Sequence, residues 1–164
     1  MVERPEDMVD HIGAMLGPGP WVSVDQSRID DFARATEDFH WMHVDAERAR
    51  ETPTGSTIAH GFLSLSLIPA LTRDMWAVRT RGGSYNYGMD KVRFITPVPS
   101  GARLRARQEI AGVDRVDGAT RIRCRNRIEI EGQEKLALIA DTIIQIFDAE
   151  QGWARSRASS GVSA

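Results

Sequence analysis

The segment Thr36–Asp45, with the sequence TEDFHWMHVD, carries the residues best suited to acid–base chemistry. It follows a predicted helix and lacks the periodicity of a packed element, which favours a loop. Asp38 and His43 are five residues apart, and in a loop this spacing lets a carboxylate and an imidazole converge on one small molecule, such as water. Adding water to an activated alkene requires one group to take a proton from water and another to protonate the developing carbanion. A capping aspartate and a surface histidine are the structural alternative.

A second segment, Thr57–Phe62, places His60 and Gly61 at the start of a predicted buried helix. Glycine at this point lets a ligand approach the backbone closely. Free N–H groups at a helix N-terminus would stabilise an oxyanion, such as the enolate formed when water adds to an enoyl thioester. The alternative is that Gly61 only makes room for packing between helix and sheet.

A metal site is the main competing interpretation of the histidines. His40, His43 and His60 have Asp38 and Asp45 nearby in the sequence. Their spacing matches no strong zinc pattern, such as paired cysteines or His-Glu-x-x-His. We therefore predict that the protein binds no metal.

Nucleophilic and anion-binding sites fit the sequence less well. Ser64 and Ser66 lack the G-x-S-x-G context of a serine nucleophile. Cys124 lies on the inward face of a predicted strand, which favours a core residue. The arginine row Arg121–Arg127 is open to two interpretations, a solvated strand face or an anion patch for coenzyme A phosphates, and the solvated face is favoured.

The predicted order along the chain is several helices, then one helix that is buried on most sides, and then a run of strands. Asp25 is a suitable N-cap for a helix whose apolar residues repeat at helical spacing up to Thr36. The segment 62–76 is apolar nearly all round, as in a helix buried on most sides, and Pro69 is a possible kink. Shorter helices are predicted over 4–16 and 46–50.

From about residue 84 the hydrophobic period changes to two, which predicts antiparallel strands with one buried face. Hairpin turns are predicted at Asp117-Gly118 and around Gly132. The fold class is therefore α+β, with an antiparallel sheet around a central helix. Predicted strands cover Tyr85–Thr96, Ala102–Val113, Arg121–Glu131 and Lys135–Phe147, with a short one at Trp21–Val24.

Length and composition indicate an ordinary globular protein. The chain has 164 residues, 41% hydrophobic and 27% charged, which fits one domain with a real core. A net charge of −2 gives no general attraction to nucleic acid or anionic membrane. The single cysteine and the acidic N-terminus, without a signal-peptide pattern, predict a reducing cytoplasmic location.

Three motifs in order resemble the MaoC-like dehydratases, the (R)-specific enoyl-CoA hydratases, and in particular their NodN-like single-domain branch. The first motif, FARATEDFHWMHVD, runs from Phe32 to Asp45. The second, IAHGFLSLSLIP, runs from Ile58 to Pro69, and the third, YNYGMDKVRFITPVPSGARLRA, from Tyr85 to Ala106. The similarity covers roughly residues 20–147, nearly the whole chain.

This resemblance implies a hot-dog fold, in which a sheet wraps a long helix, usually paired into a homodimer. Asp38 and His43 match the family's catalytic pair, and Gly61 matches the glycine whose N–H polarises the thioester carbonyl. His40, His60 and Asn86 are further candidate substrate-binding residues. The implied reaction adds water to trans-2-enoyl thioesters of coenzyme A, or of acyl carrier protein, to give (3R)-hydroxyacyl products. The implied reaction requires no metal or other cofactor. Coenzyme A enters it as part of the substrate.

The chain departs from the family pattern at three positions. Glu37 replaces a glycine before the aspartate, and His40 stands where asparagine or glutamine is usual. Pro69 takes the place of a serine that supports the aspartate in some hydratases. A charge beside Asp38 would raise the pKa of that carboxyl only if Glu37 pointed into the site.

The predicted organisation is a helical extension over 1–19, one hot-dog domain over 20–148 and a flexible tail over 149–164. Two functions compete with hydration. An acyl-CoA thioesterase uses the same fold, since fold does not determine function. The protein would be a non-catalytic acyl-thioester binder or regulatory partner if Glu37 had abolished the catalytic activity of the site.

Overall fold

The computed structural model describes residues 1–150, so most of the predicted C-terminal tail lies outside the described residues. Within residues 1–150, five α-helices and six strands follow a short N-terminal 3-10 helix, Pro5–His11. The helices are α1 (Gln26–Thr36), α2 (Trp41–Val44), α3 (Ala46–Ala49), α4 (Gly61–Ser66) and α5 (Ile68–Thr72). The strands are β1 (Met15–Leu16), β2 (Val22–Val24), β3 (Ser84–Phe94), β4 (Ala102–Val116), β5 (Ala119–Ile130) and β6 (Leu136–Phe147).

The six strands form one antiparallel sheet in the order β1-β4-β5-β6-β3, with β2 also pairing with β4. This confirms the predicted α+β class. The long strands β4, β5 and β6 follow the predicted strands closely, because alternating apolar and polar residues suit a sheet with one buried face. Gly118 and Gly132, in the two predicted turns, have φ of 64° and 74°. Glycine adopts this left-handed conformation without strain.

The buried helix predicted over 62–76 is in fact two consecutive short helices. α4 ends at Ser66 and α5 begins at Ile68, with Pro69 in its first turn. Proline has no N–H and cannot continue a helix from the preceding turn, but it fits the first turn of a new one. The prediction of burial on most sides is wrong at Phe62, which is 67% exposed.

The N-terminal segment differs from the helix predicted over 4–16. After the 3-10 helix, Met15 and Leu16 pair with Glu109 and Gln108 on β4. Met8 is buried in a cluster formed with the outer part of the sheet. These residues therefore extend the sheet and its packing. The proposed domain boundary at residue 20 stays a prediction.

A buried polar network explains Asn126, whose place on the inner face of β5 has no explanation in the sequence. Its side-chain amide donates to Thr142 Oγ1 at 2.9 Å and to Ala140 O at 3.1 Å. Its Oδ1 accepts from Gln108 Nε2 at 2.8 Å, and Gln108 Oε1 accepts from Trp76 Nε1 at 2.6 Å. Because all these polar groups are paired, burying them does not carry the penalty of an unsatisfied group.

The outward arginine row of β5 is largely neutralised by its neighbours. Arg123 pairs with Asp114 at 2.9 Å, and Arg125 pairs with Asp141 at 3.1 Å. The guanidinium of Arg121 lies 3.8 Å from the centre of the Tyr87 ring. These contacts favour the interpretation as a solvated strand face over an anion patch. None of the helices within residues 1–150 combines the length and the hydropathy that a membrane span requires.

Candidate active site

Asp38 lies directly after the C-terminal end of helix α1, which positions it in the site. The Asp25 side chain accepts from Arg28 N at 2.9 Å, which confirms it as the N-cap. The helix ends at Glu37, which has φ 60° and ψ 19°, the left-handed conformation that reverses the chain at many helix ends. Asp38 follows directly, with its side chain 55% exposed. Its Oδ1 accepts the backbone N–H of His40 at 3.3 Å.

His43 lies in α2, a short helix that the sequence did not predict. Its side chain is buried, and its Nδ1 lies 2.7 Å from Ile58 O. A carbonyl oxygen only accepts, so Nδ1 carries the proton and Nε2 presents a lone pair. Gln26 Nε2 donates to His43 O at 2.8 Å and so ties α2 to α1.

His60 is brought against both of these residues. Its ring stacks on the His43 ring, with centroids 3.7 Å apart and planes 26° apart. Its Nε2 lies 2.9 Å from Asp38 O and 3.9 Å from Asp38 Oδ2. One side-chain ligand atom from each of Asp38, His43 and His60 lies within 4.8 Å of the other two. The predicted pair Asp38 and His43 therefore does converge.

Burial lowers the pKa of His43 below that of a free histidine. The hydrogen bond to Ile58 O acts in the opposite direction, and the nearby His60 lowers the pKa further. Desolvation disfavours the charged imidazolium, so the outcome is a neutral ring over a wider pH range. A neutral imidazole with a free Nε2 can accept a proton from water.

A cavity of about 520 Å³ opens beside these residues. Its walls are largely apolar, and His43 and Gly61 both line it, as do Ile58, Phe94 and Ala137. A Cβ on Gly61 would lie 3.1 Å from the Phe94 ring, closer than ordinary contact. Gly61 is the first residue of α4, so its N–H has no partner within that helix. Apolar side chains, one histidine and the first residue of a helix thus line the same cavity.

The remaining predicted residues lie in different surroundings. His40 is exposed, with its ring centroid 6.3 Å from that of His43. His60 is 3% exposed and does not line the cavity. Asn86 lines a separate cavity of about 260 Å³ between β3 and α5, together with Gln108 and Thr142. The structure therefore does not place Asn86 beside His43.

The cluster of Asp38, His43 and His60 has the residue types and spacing of a metal site, but its geometry fits a metal poorly. An imidazole binds a metal along the plane of its ring, and the planes of His43 and His60 are stacked rather than convergent. His43 Nδ1 and His60 Nε2 also face backbone carbonyl oxygens. A site without metal stays our proposal.

Comparison with known proteins establishes the family. The family model described as a MaoC like domain matches residues 7–131. The chain belongs to the MaoC-like domain family. Its relatives include the 3-hydroxyacyl-thioester dehydratase Z of Mycobacterium tuberculosis, 40% identical over 144 residues, which cover 87% of this chain and 95% of that protein. Nodulation protein N of Rhizobium leguminosarum is 43% identical over 148 residues, covering 87% and 91%.

A solved structure supports the same assignment. The (R)-hydratase from A. caviae involved in PHA biosynthesis superposes with a TM-score of 0.62 at 26% identity. The match covers 79% of this chain and 96% of that one. The hot-dog fold expected for a MaoC-like chain is thereby confirmed, as is the resemblance to the NodN-like branch.

The structure also explains one departure from the family pattern. Glu37 occupies the left-handed position at the end of α1, where glycine is the residue without steric cost. Its side chain is exposed to solvent. The usual glycine therefore reflects backbone conformation at this position.

Sequence reasoning missed three features of the site: the Ile58 carbonyl that sets the His43 tautomer, the stacking of His60 on His43, and the Phe94 wall opposite Gly61. All three are contacts between segments distant in sequence. The His60-Gly61 pair was the one signal that pointed to this region.

Proposed function

We propose that the protein is an (R)-specific enoyl-thioester hydratase, which adds water reversibly to trans-2-enoyl-CoA to give (3R)-hydroxyacyl-CoA. The observation that carries this proposal is that His43 and Gly61 line one apolar cavity, while a carboxylate oxygen of Asp38 lies within 4.8 Å of a ring nitrogen of His43. The dehydratase and (R)-hydratase relatives support the same reaction class.

In this mechanism, one water molecule sits between Asp38 and His43. The ligand atoms of the two residues lie within 4.8 Å of each other, a distance that one water with two hydrogen bonds of about 2.8 Å can bridge. The water oxygen bonds to the β-carbon while one of its protons passes to the pair. The electron pair of the double bond moves toward the thioester, whose oxygen gains negative charge.

The N–H of Gly61 would stabilise that oxyanion, because a backbone donor in a water-poor cavity favours developing negative charge. The pair then returns one proton to the α-carbon, so that the elements of water are added without any other reactant. Because Nδ1–H is held by Ile58 O, Nε2 of His43 is the basic nitrogen of the pair.

The proposal includes the assembly and the partners of the chain. Strand β3 is an edge of the sheet and exposes apolar side chains, among them Tyr87, Met89 and Phe94. An exposed apolar edge strand is a template for pairing with another chain, which supports a homodimer. The proposed partner is the acyl thioester substrate, carried by coenzyme A or by acyl carrier protein, in a cytoplasmic setting without nucleic acid or membrane. Light scattering on the purified protein tests the dimer.

The decisive assay follows the absorbance of the enoyl-thioester band when the protein is mixed with crotonyl-CoA or longer enoyl-CoA substrates. Asp38→Asn and His43→Ala should each lower kcat by about 10²–10⁴-fold, the contribution typical of a positioned acid or base. Asp31→Asn and His11→Ala change exposed residues of the same types outside the cavity and serve as matched controls.

Other outcomes identify the competing functions. Release of free thiol from saturated acyl-CoA would indicate a thioesterase. Binding of enoyl-CoA with the double bond left intact would indicate a non-catalytic binder. Near-normal turnover in either Asp38→Asn or His43→Ala would refute the assigned pair.

A further inference from the structure

His60 contacts three separate parts of the site although it does not line the cavity. Its ring centroid lies 5.1 Å from that of Phe32 on α1 and 3.7 Å from that of His43 on α2. Its Nε2 reaches the carbonyl oxygen of Asp38. It also immediately precedes Gly61, whose backbone N–H is proposed to donate a hydrogen bond to the oxyanion. One side chain thus touches the acid, the base and the helix that carries the acid.

The contact with Asp38 constrains a segment that has few other restraints. Between α1 and α2 the chain runs over 37–40, and all four of these residues are exposed. Asp38 Oδ1 accepts only a long hydrogen bond, 3.3 Å, from His40 N. The 2.9 Å bond from His60 Nε2 to Asp38 O is the shorter of the two. It anchors the backbone from which the carboxylate projects.

The hydrogen-bond pattern also determines the tautomer of His60. Asp38 O can only accept, so Nε2 carries the proton. Nδ1 is buried and has no hydrogen-bond partner among residues 1–150. A proton there would be an unpaired buried donor facing no acceptor, which is unfavourable. The ring that stacks on His43 therefore holds its proton at Nε2, in the tautomer that donates to Asp38 O.

We propose that His60 is a positioning residue for the hydration reaction: its Nε2–H holds the backbone of Asp38 while its ring holds the plane of His43. This inference rests on the proposed function. Both reacting groups are thereby held by one buried side chain, which keeps their spacing suited to a single water. Small displacements of reacting groups are costly, since a misplacement of about 1 Å can lower a rate about 10²-fold.

Two substitutions separate the two contacts. His60→Gln keeps an N–H near the position of Nε2 but removes the ring. His60→Phe keeps a flat ring against His43 but removes the N–H. His60→Asn, whose amide mimics Nδ1 instead, is the matched control for His60→Gln.

We expect His60→Phe to lower kcat by about 10- to 100-fold with KM changed less than about twofold, because Asp38 loses its anchor. His60→Gln should retain more kcat than His60→Asn, since only the longer amide reaches Asp38 O. Equal kcat values for His60→Phe and the wild type would overturn the role of the N–H. A loss of melting temperature without a change in kcat would mean that His60 is only structural.

Nuclear magnetic resonance tests the same contacts without turnover. The titratable groups that act on His43 are His60, Asp38 from the loop after α1, and His40 at the start of α2. Removing His60 removes an influence that lowers the pKa of His43, so this pKa should rise in both His60→Phe and His60→Gln. An unchanged titration of His43 in both variants would overturn the ring contact.

The wild-type protein provides a test that needs no variant. Nitrogen-15 shifts of the imidazole should show His60 protonated at Nε2, and an Nδ1–H tautomer would overturn the proposal. If no enoyl thioester is turned over while these spectra are as expected, the proposed function fails and the positioning contacts remain. If an enoyl thioester is turned over but the His60 tautomer and the His43 titration differ from those expected, the positioning role fails and the proposed function remains.

Discussion

Replacing Glu37 by glycine should stabilise the protein, although glycine inside a helix usually weakens it. Glu37 has φ 60° and ψ 19°, and its side chain is exposed. For a residue with a Cβ, this left-handed conformation costs roughly 1–2 kcal/mol. Glycine removes that strain but adds about 0.5–1 kcal/mol of backbone entropy loss on folding. The net gain in the free energy of unfolding should be about 0.5–1 kcal/mol.

For a chain of this length, that gain corresponds to a rise in melting temperature of about 1–4 °C. Thermal and urea unfolding followed by circular dichroism would measure it. Glu47, an exposed glutamate within α3, supplies the matched control. Glu47→Gly should lose about 0.5–1 kcal/mol, because glycine there only adds entropy.

Glu37→Ala separates backbone strain from charge. Alanine removes the carboxylate but keeps the Cβ, so it should gain little stability. If Glu37→Gly were destabilised as much as Glu47→Gly, the argument from the left-handed conformation would be wrong. If Glu37→Ala gained as much as Glu37→Gly, the charge and not the backbone would be the cause.

The pH dependence, the cavity wall and the buried network allow three further predictions. Because burial lowers the pKa of His43, the acid limb of kcat/KM should fall below about pH 6.5, the ordinary value for histidine; activity that rises as pH falls through this range would show that the imidazolium is required. Gly61→Val should block substrate binding and lower stability, since the added side chain meets Phe94. The double variant with Phe94→Ala should recover stability. Its kcat/KM should stay below the wild-type value if valine displaces the N–H of residue 61. Asn126→Leu should lower the free energy of unfolding by about 2–4 kcal/mol in urea titrations, because the amide of Gln108 and Ala140 O lose their partner, and a loss below about 1 kcal/mol would contradict the network.

The same lowered pKa affects stability, with a sign that follows from linkage. The unfolded state binds a proton at His43 more readily than the folded state does, so acid favours unfolding through this group. Its stabilising effect is complete above the pKa of a free histidine and declines as the pH falls below it. His43→Gln should remove this part of the acid sensitivity.

Local patterns were enough to identify the strands and the first helix. Alternation predicted β4, β5 and β6 with ends that differ by a few residues from those observed, because a side-chain period of two leaves one face to bury. Asp25 was predicted as an N-cap and accepts the expected hydrogen bond, because this contact spans only three residues. Such features depend on neighbours in the sequence and can be predicted from it.

Motif order predicted the family and the convergence of Asp38 with His43, but not the contacts that orient them. The Ile58 carbonyl lies 15 residues from His43 in sequence and sets its tautomer. The stacked ring of His60 and the Phe94 wall likewise come from other segments. Asn86 belongs to the third motif yet lines a different cavity, because its position along β3 is determined by pairing with β6.

By itself, then, the sequence predicted which residues would carry acid–base chemistry and which elements they follow, since both predictions depend on residue type and local spacing. The tertiary structure alone decided that Glu37 faces solvent, that burial lowers the pKa of His43, and that His60 contacts both Asp38 and His43. The physical reason is that burial, tautomer and ring stacking depend on which distant segments pack together, and no spacing within one segment reports that.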